Sequence, residues 1–283
     1  MLVFAHPDDE TVSATTLLPE MKDSVLVYVT DGAPKRSSDA EAAGCATREA
    51  YAELRRSELI AALDTAGVPL ERVILLGCVD QETPRELVTL TIRLELLIRE
   101  HAPRIVLTHP YEGGHPDHDS TAFAVHTAVR RLARDGAPTP IVAEFASYHA
   151  ADAVVARAFT DRLFGRFARR SEEAQWEYGE FLKVPGRVVL TAPLSPEQRE
   201  LKKQLMVCHR SQHAVLGHVP LDAERFRLAP RYDFTEPPHR GRLLYEHFTW
   251  GVTGDEWRAA ARVAMSELRS DHGSSAGREA AVR

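Results

Sequence analysis

An α/β fold is predicted for this chain: a Rossmann-like, mostly parallel sheet with helices on both faces, followed by a smaller mixed α+β elaboration. Three observations predict it. Short aliphatic, β-branched runs recur at Leu2–Ala5, Ser24–Thr30, Arg72–Gly77, Arg104–Thr108 and Ile141–Ser147. Stretches of helical length and periodicity separate most of them, and strands alternating with helices at this spacing specify βαβ crossovers and a parallel sheet. Ionisable residues crowd just past the strand ends, where such sheets place their sites.

Each element has a local reason. Leu2–Ala5 is a buried strand stopped by Pro7, because a residue before proline is held extended. Thr11–Pro19 reads as a short helix ended by its proline. Ser24–Thr30 is rich in β-branched residues and is closed by Asp31-Gly32. Pro34–Ala46, polar and small, reads as a loop over the strand ends. Arg48–Ala66 is a helix stopped by Gly67 and Pro69. Arg72–Gly77 is the third strand, Glu86–His101 an amphipathic helix, and Arg104–Thr108 the fourth strand. Pro116–Arg134 is a helix whose last turns carry Arg130, Arg131 and Arg134 and whose stop is Gly136. Ile141–Ser147 is the fifth strand.

The second half is less regular. Gly165–Gln175 is charged and mixed, and Glu180–Leu190, with Pro185-Gly186 at its middle, reads as a hairpin. Ser195-Pro196-Glu197-Gln198 is a helix start with a capping box, and that helix runs to about Arg210. Pro220–Pro238 reads as loop, Arg242–Phe248 as a strand, and Asp255–Leu268 as a helix. The predicted organisation is a core over 1–150, an elaboration over 151–268 that shapes a substrate site, and a small polar tail over 269–283 without fixed structure.

Composition excludes several classes. The 283 residues carry a formal net charge of −6 with no long basic block, so nucleic acid is not an expected partner. No stretch reaches the length of a membrane span. The first basic residue is Lys22, and Met1–Ala5 is too short for the apolar region of a signal peptide. The numbering opens inside a strand, which leaves room for a few native residues ahead of Met1. Cys45, Cys78 and Cys208 are far apart and odd in number. They read as reduced thiols of a cytoplasmic protein rather than a disulfide or zinc framework. A homo-oligomer is left open.

Two clusters carry the chemistry. The first, Ala5-His6-Pro7-Asp8-Asp9-Glu10, sets an imidazole and three carboxylates at one strand end. Acids crowded out of water repel one another unless a cation neutralises them. The plain alternative is a solvated helix turn whose acids meet the helix dipole. The second cluster, Gly113-Gly114-His115-Pro116-Asp117-His118, follows the fourth strand. A common strand order sets strands one and four side by side, which would bring the two clusters together. Together they offer two imidazoles and a carboxylate as ligands with a position left open, which a catalytic zinc needs.

These two motifs resemble the paired signatures of the PIG-L/LmbE-like zinc-dependent de-N-acetylases, which remove acetyl groups mostly from N-acetylglucosamine-type sugars. The likeness covers roughly residues 1–150, and includes Thr30-Asp31-Gly32 and an Arg-x-x-Glu pattern at Arg55–Glu58. Beyond 150 it is limited to hints such as Ser211-Gln212. Two departures stand out: Thr11-Val12-Ser13-Ala14 where the family often has glycines, and Gly113-Gly114 where some members carry an active-site tyrosine. The resemblance implies one Zn²⁺, or another divalent ion, on His6, Asp9 and His118. It implies Asp8 as general base and His115 as general acid or oxyanion stabiliser, protonated and oriented by Asp117. Arg55, and Asp80 at the rim after strand three, are candidate substrate contacts.

The expected reaction is hydrolysis of the N-acetyl group of an N-acetylated amino sugar or sugar conjugate. Three alternatives draw on the same residues: an amidase acting on a larger acyl conjugate, a two-metal phosphoesterase built around Asp117-His118-Asp119, and a non-catalytic sugar-binding module. The absence of G-x-G-x-x-G after strand one speaks against dinucleotide binding. His109 reads as a strand-end polar residue with a supporting role behind the ligands as its alternative, and His126 as a packed core histidine. His209, His213, His218, Trp250 and Trp257 read as packing residues, with sugar stacking as the alternative.

Overall fold

A computed structural model describes residues 1–20, 23–150, 176–183, 187–248 and 250–270. In chain order the elements are β1 (Leu2–Phe4), α1 (Asp9–Ser13), β2 (Leu26–Pro34), α2 (Ser38–Ala42), α3 (Arg48–Thr65), β3 (Val73–Asp80), α4 (Leu87–His101), β4 (Ile105–Thr108), α5 (Pro116–Arg134), β5 (Ile141–Phe145), β6 (Tyr148–Ala150), β7 (Trp176–Tyr178), β8 (Leu190–Pro193), α6 (Pro196–Cys208), α7 (His213–Leu216), β9 (Ala223–Leu228) and α8 (Gly254–Ser270). Seven strands form one sheet in the order β3-β2-β1-β4-β5-β9-β8, and β6 and β7 form a separate antiparallel pair. The first five strands run parallel; β9 and β8 add antiparallel at the β5 edge.

The order reverses at β1 and β4, the predicted neighbours, and Leu2 pairs with Leu26 on one side and Leu107 on the other. Side chains alternate across a strand, so β1 feeds two cores. Leu2 and Phe4 pack with Tyr28, Leu59, Leu63 and Leu205 under α3 and α6. Val3 packs with Val27, Leu94, Ala124 and Val125 under α4 and α5. Trp257 of α8 builds a third cluster with Tyr111, Phe123 and Phe234, and its indole N–H donates to the Ser120 hydroxyl at 3.0 Å.

Several expectations are corrected. The helix expected over Thr11–Pro19 ends at Ser13, and a 3₁₀ turn follows at Leu18–Glu20. The loop over Pro34–Ala46 contains α2. The strand expected at Arg242–Phe248 is a 3₁₀ turn, Leu244–His247, and Glu246 accepts the amide of Leu243 just ahead of it at 2.9 Å. Leu190 pairs with Phe226 of β9, not across a hairpin, and the predicted turn at Pro185-Gly186 lies outside the described residues, as does Gly165–Gln175. The segment read as loop after Pro220 holds β9. Its alternation is Ala223, Arg225 and Arg227 against Glu224 and Phe226, so charges stand where apolar residues would have signalled a strand. α8 continues through Arg269 and Ser270, two residues assigned to the tail; 271–283 lie outside the described residues. The Ser195–Gln198 capping box is present as predicted.

The inward charges of β9 are paired. Arg227 donates to Glu144 of β5 at 2.7 Å, to Glu112 at 2.9 Å and to the Tyr232 hydroxyl at 3.0 Å. Glu224 accepts from Lys202 at 3.1 Å and from the Thr15 and Thr16 amides. The second half of the chain is thereby tied to the first through the same sheet.

Candidate metal and active site

The end of β1 is pinned before the first motif begins. The Thr30 amide and hydroxyl both donate to the Ala5 carbonyl, at 2.8 and 2.9 Å. The chain then turns through Asp8, whose φ of 117° is rare for a residue with a side chain. Such a conformation costs about 1–3 kcal/mol and persists only where neighbours over-determine it. Here they do. The Asp8 amide donates to Glu10 at 3.0 Å, and Glu10 also accepts from His209 at 2.8 Å and from the Tyr28 hydroxyl at 3.3 Å. Arg55, fully inside, donates to the Asp8 carboxylate at 3.2 Å, to the Gly32 carbonyl at 3.1 Å and to the Pro7 carbonyl.

The two motifs meet. His6 Nδ1 lies 3.3 Å from His118 Nε2 and 3.5 Å from Asp9 Oδ2, and His118 Nε2 lies 3.3 Å from Asp9 Oδ1. A tetrahedral ion with donors at about 2.0–2.1 Å holds them about 3.3 Å apart, the spacing of the two imidazole nitrogens, and Asp9 turns one carboxylate oxygen toward each of them. The Asp9 carboxylate is fixed independently by the His6 amide at 2.6 Å. His6 turns its other nitrogen to Asp117 Oδ2 and Asp80 Oδ1, each at 3.2 Å, the carboxylate-behind-imidazole pattern that orients metal ligands. His109 stacks on His118 at 3.9 Å and sits 3.2 Å from Asp9. It therefore supports the ligands from behind.

Electrostatics follow from burial and neighbours. Burial opposes a charge on His6, but Asp80, Asp117 and Asp9 outweigh it and favour positive charge at this point. Burial, reinforced by His109, pushes His118 down to about 3, which leaves its lone pair free. Burial also drives the Asp8 carboxyl up to about 7, with Arg55 pulling the other way.

Two expected roles are placed differently. The Asp117 carboxylate is 3.8 Å from His115 Nδ1, beyond hydrogen-bond range. It is taken instead by His6, the Gln81 amide and the Thr83 hydroxyl. His115 is oriented by the backbone: its Nδ1 accepts the Asp117 amide at 3.1 Å. That bond puts the ring proton on Nε2, and burial beside His6 holds the pKa of His115 well below the usual range. Burial and the neighbouring His6 thus disfavour the imidazolium form of His115. Arg55 holds the turn that carries Asp8 through its terminal nitrogens and also lines the cavity over the site. Asp80 stands at the rim as expected, with His6 and with His115 Nε2 3.8 Å away.

A cavity of about 860 Å³ opens over these groups. Its walls include Tyr51, Glu58, Ser211 and Trp250. The Ser211 amide and hydroxyl donate to Glu58, at 2.9 and 2.6 Å, so the Arg-x-x-Glu pattern and the Ser-Gln hint form one wall. Trp250 lies 4.5 Å from the His115 ring and Tyr148 4.9 Å from His118. His126 packs against Tyr232 and Phe234, as predicted, and Trp257 is core. His209 lines nothing: it is sealed against Glu10. Tyr148 had no local signal in the sequence, since it reaches the site only through the fold.

Gly113-Gly114 also has its explanation. A Cβ on Gly114 would stand 2.0 Å from the Tyr148 carbonyl oxygen, and Gly113 has φ +71° against Leu243. Gly114→Ala is expected to lower stability by about 1–3 kcal/mol and to displace Tyr148 and His115 from the cavity wall. Urea unfolding read by tryptophan fluorescence measures the first effect.

Comparison with known proteins agrees with this geometry. Residues 1–129 match the family model "PIG-L: GlcNAc-PI de-N-acetylase". A probable N-acetyl-alpha-D-glucosaminyl L-malate deacetylase 2 of Bacillus anthracis is 31% identical over 159 residues, 54% of this chain and 68% of that protein. The protein of the same description in Bacillus cereus is 30% identical over 142 residues, 49% of this chain and 64% of that protein. Among solved structures, the deacetylase of the A40926 pseudoaglycone superposes with a TM-score of 0.55 at 21% identity, covering 82% of this chain and 97% of that one. A teicoplanin deacetylase in a zinc-inhibited form gives 0.54 at 17%, covering 82% and 98%. At such identities these structures speak for the fold. No helix among the described residues is long and apolar enough to cross a membrane. Motifs, strand order and relatives together place the chain in the PIG-L family of de-N-acetylases.

Proposed function

We propose that this chain hydrolyses the N-acetyl group of an N-acetylated amino sugar or sugar conjugate, releasing acetate and the free amine, with one zinc ion held by His6, Asp9 and His118. The observation that carries the reading is the pair of imidazole nitrogens 3.3 Å apart, each with an oxygen of the Asp9 carboxylate 3.3–3.5 Å away, beside a carboxylate that Arg55 holds. A divalent ion there would supply Lewis acidity toward water and toward an amide carbonyl. Asp8 takes the proton of the attacking water and returns it to the departing amine. A base with its pKa near the working pH does both well. His115 donates from Nε2 to the carbonyl oxygen as negative charge develops on it. Asp117 and Asp80 hold His6, and Arg55 holds Asp8. The half beyond residue 150 shapes the substrate cavity, as Trp176, Ser211, Gln212 and Trp250 in its lining support. The three cysteines are free, which supports a cytoplasmic location.

A two-metal phosphoesterase would need a second complete donor set. Other His and Asp groups do lie close together among the described residues, but each borrows His6, Asp9 or His118 from the first set. Asp117 is occupied by Gln81 and Thr83, and His109 Nε2 accepts the Ala5 amide at 3.0 Å. Elemental analysis of purified protein is expected to give one zinc per chain. Chelation is expected to abolish acetate release from N-acetylated sugars and to lower the melting temperature, since an ion at 100 times its Kd stabilises by about 2.7 kcal/mol. Two ions per chain, or unchanged turnover after chelation, would overturn the reading.

A further inference from the structure

Asp8 is held from two sides. Arg55 donates to its carboxylate at 3.2 Å, and Glu10 accepts its amide at 3.0 Å. Glu10 is held in turn by a side chain that lines no part of the reaction cavity. His209 Nε2 donates to it at 2.8 Å, and both side chains are fully buried. We propose that His209 is a positioning residue for the general base, fixing the turn at Asp8 through Glu10. The proposal rests on the reading of Asp8 as general base and extends it to a residue 199 positions from Glu10.

The second half of the chain delivers this contact through one helix face. Residues three and four apart on a helix lie on the same side, so Lys202, Leu205 and His209, which ends α6, point one way. All three are buried. Lys202 donates to the Val12 carbonyl at 2.8 Å, Leu205 enters the core with Phe4 and Tyr28, and His209 meets Glu10. α6 therefore grips α1 at two separate points. Two residues beyond His209, the Ser211 amide and hydroxyl donate to Glu58, which lies one turn along α3 from Arg55. A closed ring results: Asp8 to Glu10, to His209, to Ser211, to Glu58, to Arg55 and back to Asp8.

Within this ring His209 supplies the contact that ties Glu10 to a distant element. Glu10 Oε1 accepts from the Thr11 hydroxyl and from His209, each at 2.8 Å. Its Oε2 accepts from the Asp8 amide at 3.0 Å and from the Tyr28 hydroxyl at 3.3 Å. Thr11 moves with the helix that carries Glu10, and the Tyr28 bond is the longest of the set. His209 Nδ1 has no partner among the described residues, so Nε2 alone makes the tie. A satisfied buried network rigidifies what it holds. Here it holds a φ of 117°, which an aspartate keeps only under such constraint. Loosening it displaces the carboxylate that receives the proton of water, and a misplacement of about 1 Å costs on the order of a hundredfold in rate.

The test separates reach from polarity. The amide nitrogen of a glutamine stands where Nε2 stands, and that of an asparagine stops near Nδ1. His209→Asn is expected to lower kcat for acetate release about a hundredfold, with KM and metal content unchanged, and His209→Gln to recover most of that rate. His209→Leu, which fills the space without a donor, is expected to behave as His209→Asn does. In an Asp8→Asn background neither is expected to lower kcat further, because the base that His209 positions is already gone; a general structural defect would cost the same factor in both backgrounds. Exchange of the Asp8 amide hydrogen, followed by NMR, needs no turnover. It is expected to quicken about tenfold in His209→Asn, the equivalent of one hydrogen bond, and to keep the wild-type rate in His209→Gln. Wild-type kcat in the variants without a donor would overturn the proposal, as would unchanged amide exchange, loss of the metal, or an equal further loss in the Asp8→Asn background. A wild-type chain that releases no acetate would overturn the deacetylase reading instead, and the amide exchange would still decide whether His209 holds the turn.

Discussion

Replacing Asp8 by asparagine is expected to lower kcat about a hundred- to ten-thousand-fold while the chain still binds one metal ion per molecule. Asparagine keeps the shape of the side chain and is one of the few residues that tolerates positive φ, so the turn at 117° survives. Its amide oxygen can still accept from Arg55, which holds the present carboxylate at 3.2 Å. What it loses is the ability to take a proton. Asp9, His6 and His118 are untouched, so metal content by elemental analysis should match the wild type. Asp8→Gly adds a second readout: glycine adopts this φ freely, so that variant is expected to unfold at higher urea than Asp8→Ala while being equally inactive. Wild-type turnover in Asp8→Asn would remove Asp8 from the mechanism, and loss of the metal would make it a ligand.

What the sequence made legible follows from how locally each signal is encoded. His6, Asp8 and Asp9 stand in one four-residue window at a strand end, and His115 to His118 at a helix start, so both motifs carry their geometry with them. Their meeting required only that β1 and β4 be neighbours, which parallel topology favours. The groups that hold them were not legible. Glu10 reaches His209 across 199 positions, and Glu58 reaches Ser211 across 153. No periodicity encodes either pair. β9 escaped notice because its pattern is written in charges: Arg227 and Glu224 are buried through ion pairs, where strand reading looks for apolar residues. What disfavours a charge on His115, burial beside His6, is likewise supplied only by the folded chain.

Removing the Arg227 charge is the substitution expected to cost the most stability. Arg227→Met would leave Glu112 and Glu144 inside without their cation, and breaking a buried pair in this way costs about 3–5 kcal/mol, a large part of what a domain has. One guanidinium already serves two acids. Burial pushes the Glu112 carboxyl up to about 8, Glu144 adds to the push, and Arg227 opposes it. A carboxyl whose folded pKa is raised above its ordinary 4.5 stabilises the fold fully only below 4.5, and that contribution is lost as pH rises through 8. Without Arg227 the Glu112 carboxyl loses the one influence that opposes its rise, so the variant's deficit is expected to be larger at pH 9 than at pH 6. Urea unfolding at the two values measures this, and Glu144→Gln added to Arg227→Met should recover part of it. The damage should also reach the site. Glu112 accepts the Leu182 amide, and its own amide, with that of Gly113, donates to Asp119 at 3.3 and 3.1 Å, directly ahead of His115. The loop that aims His115 is thus anchored by a strand of the second half. A variant that unfolds like the wild type at both pH values would show that β9 does not hold this loop.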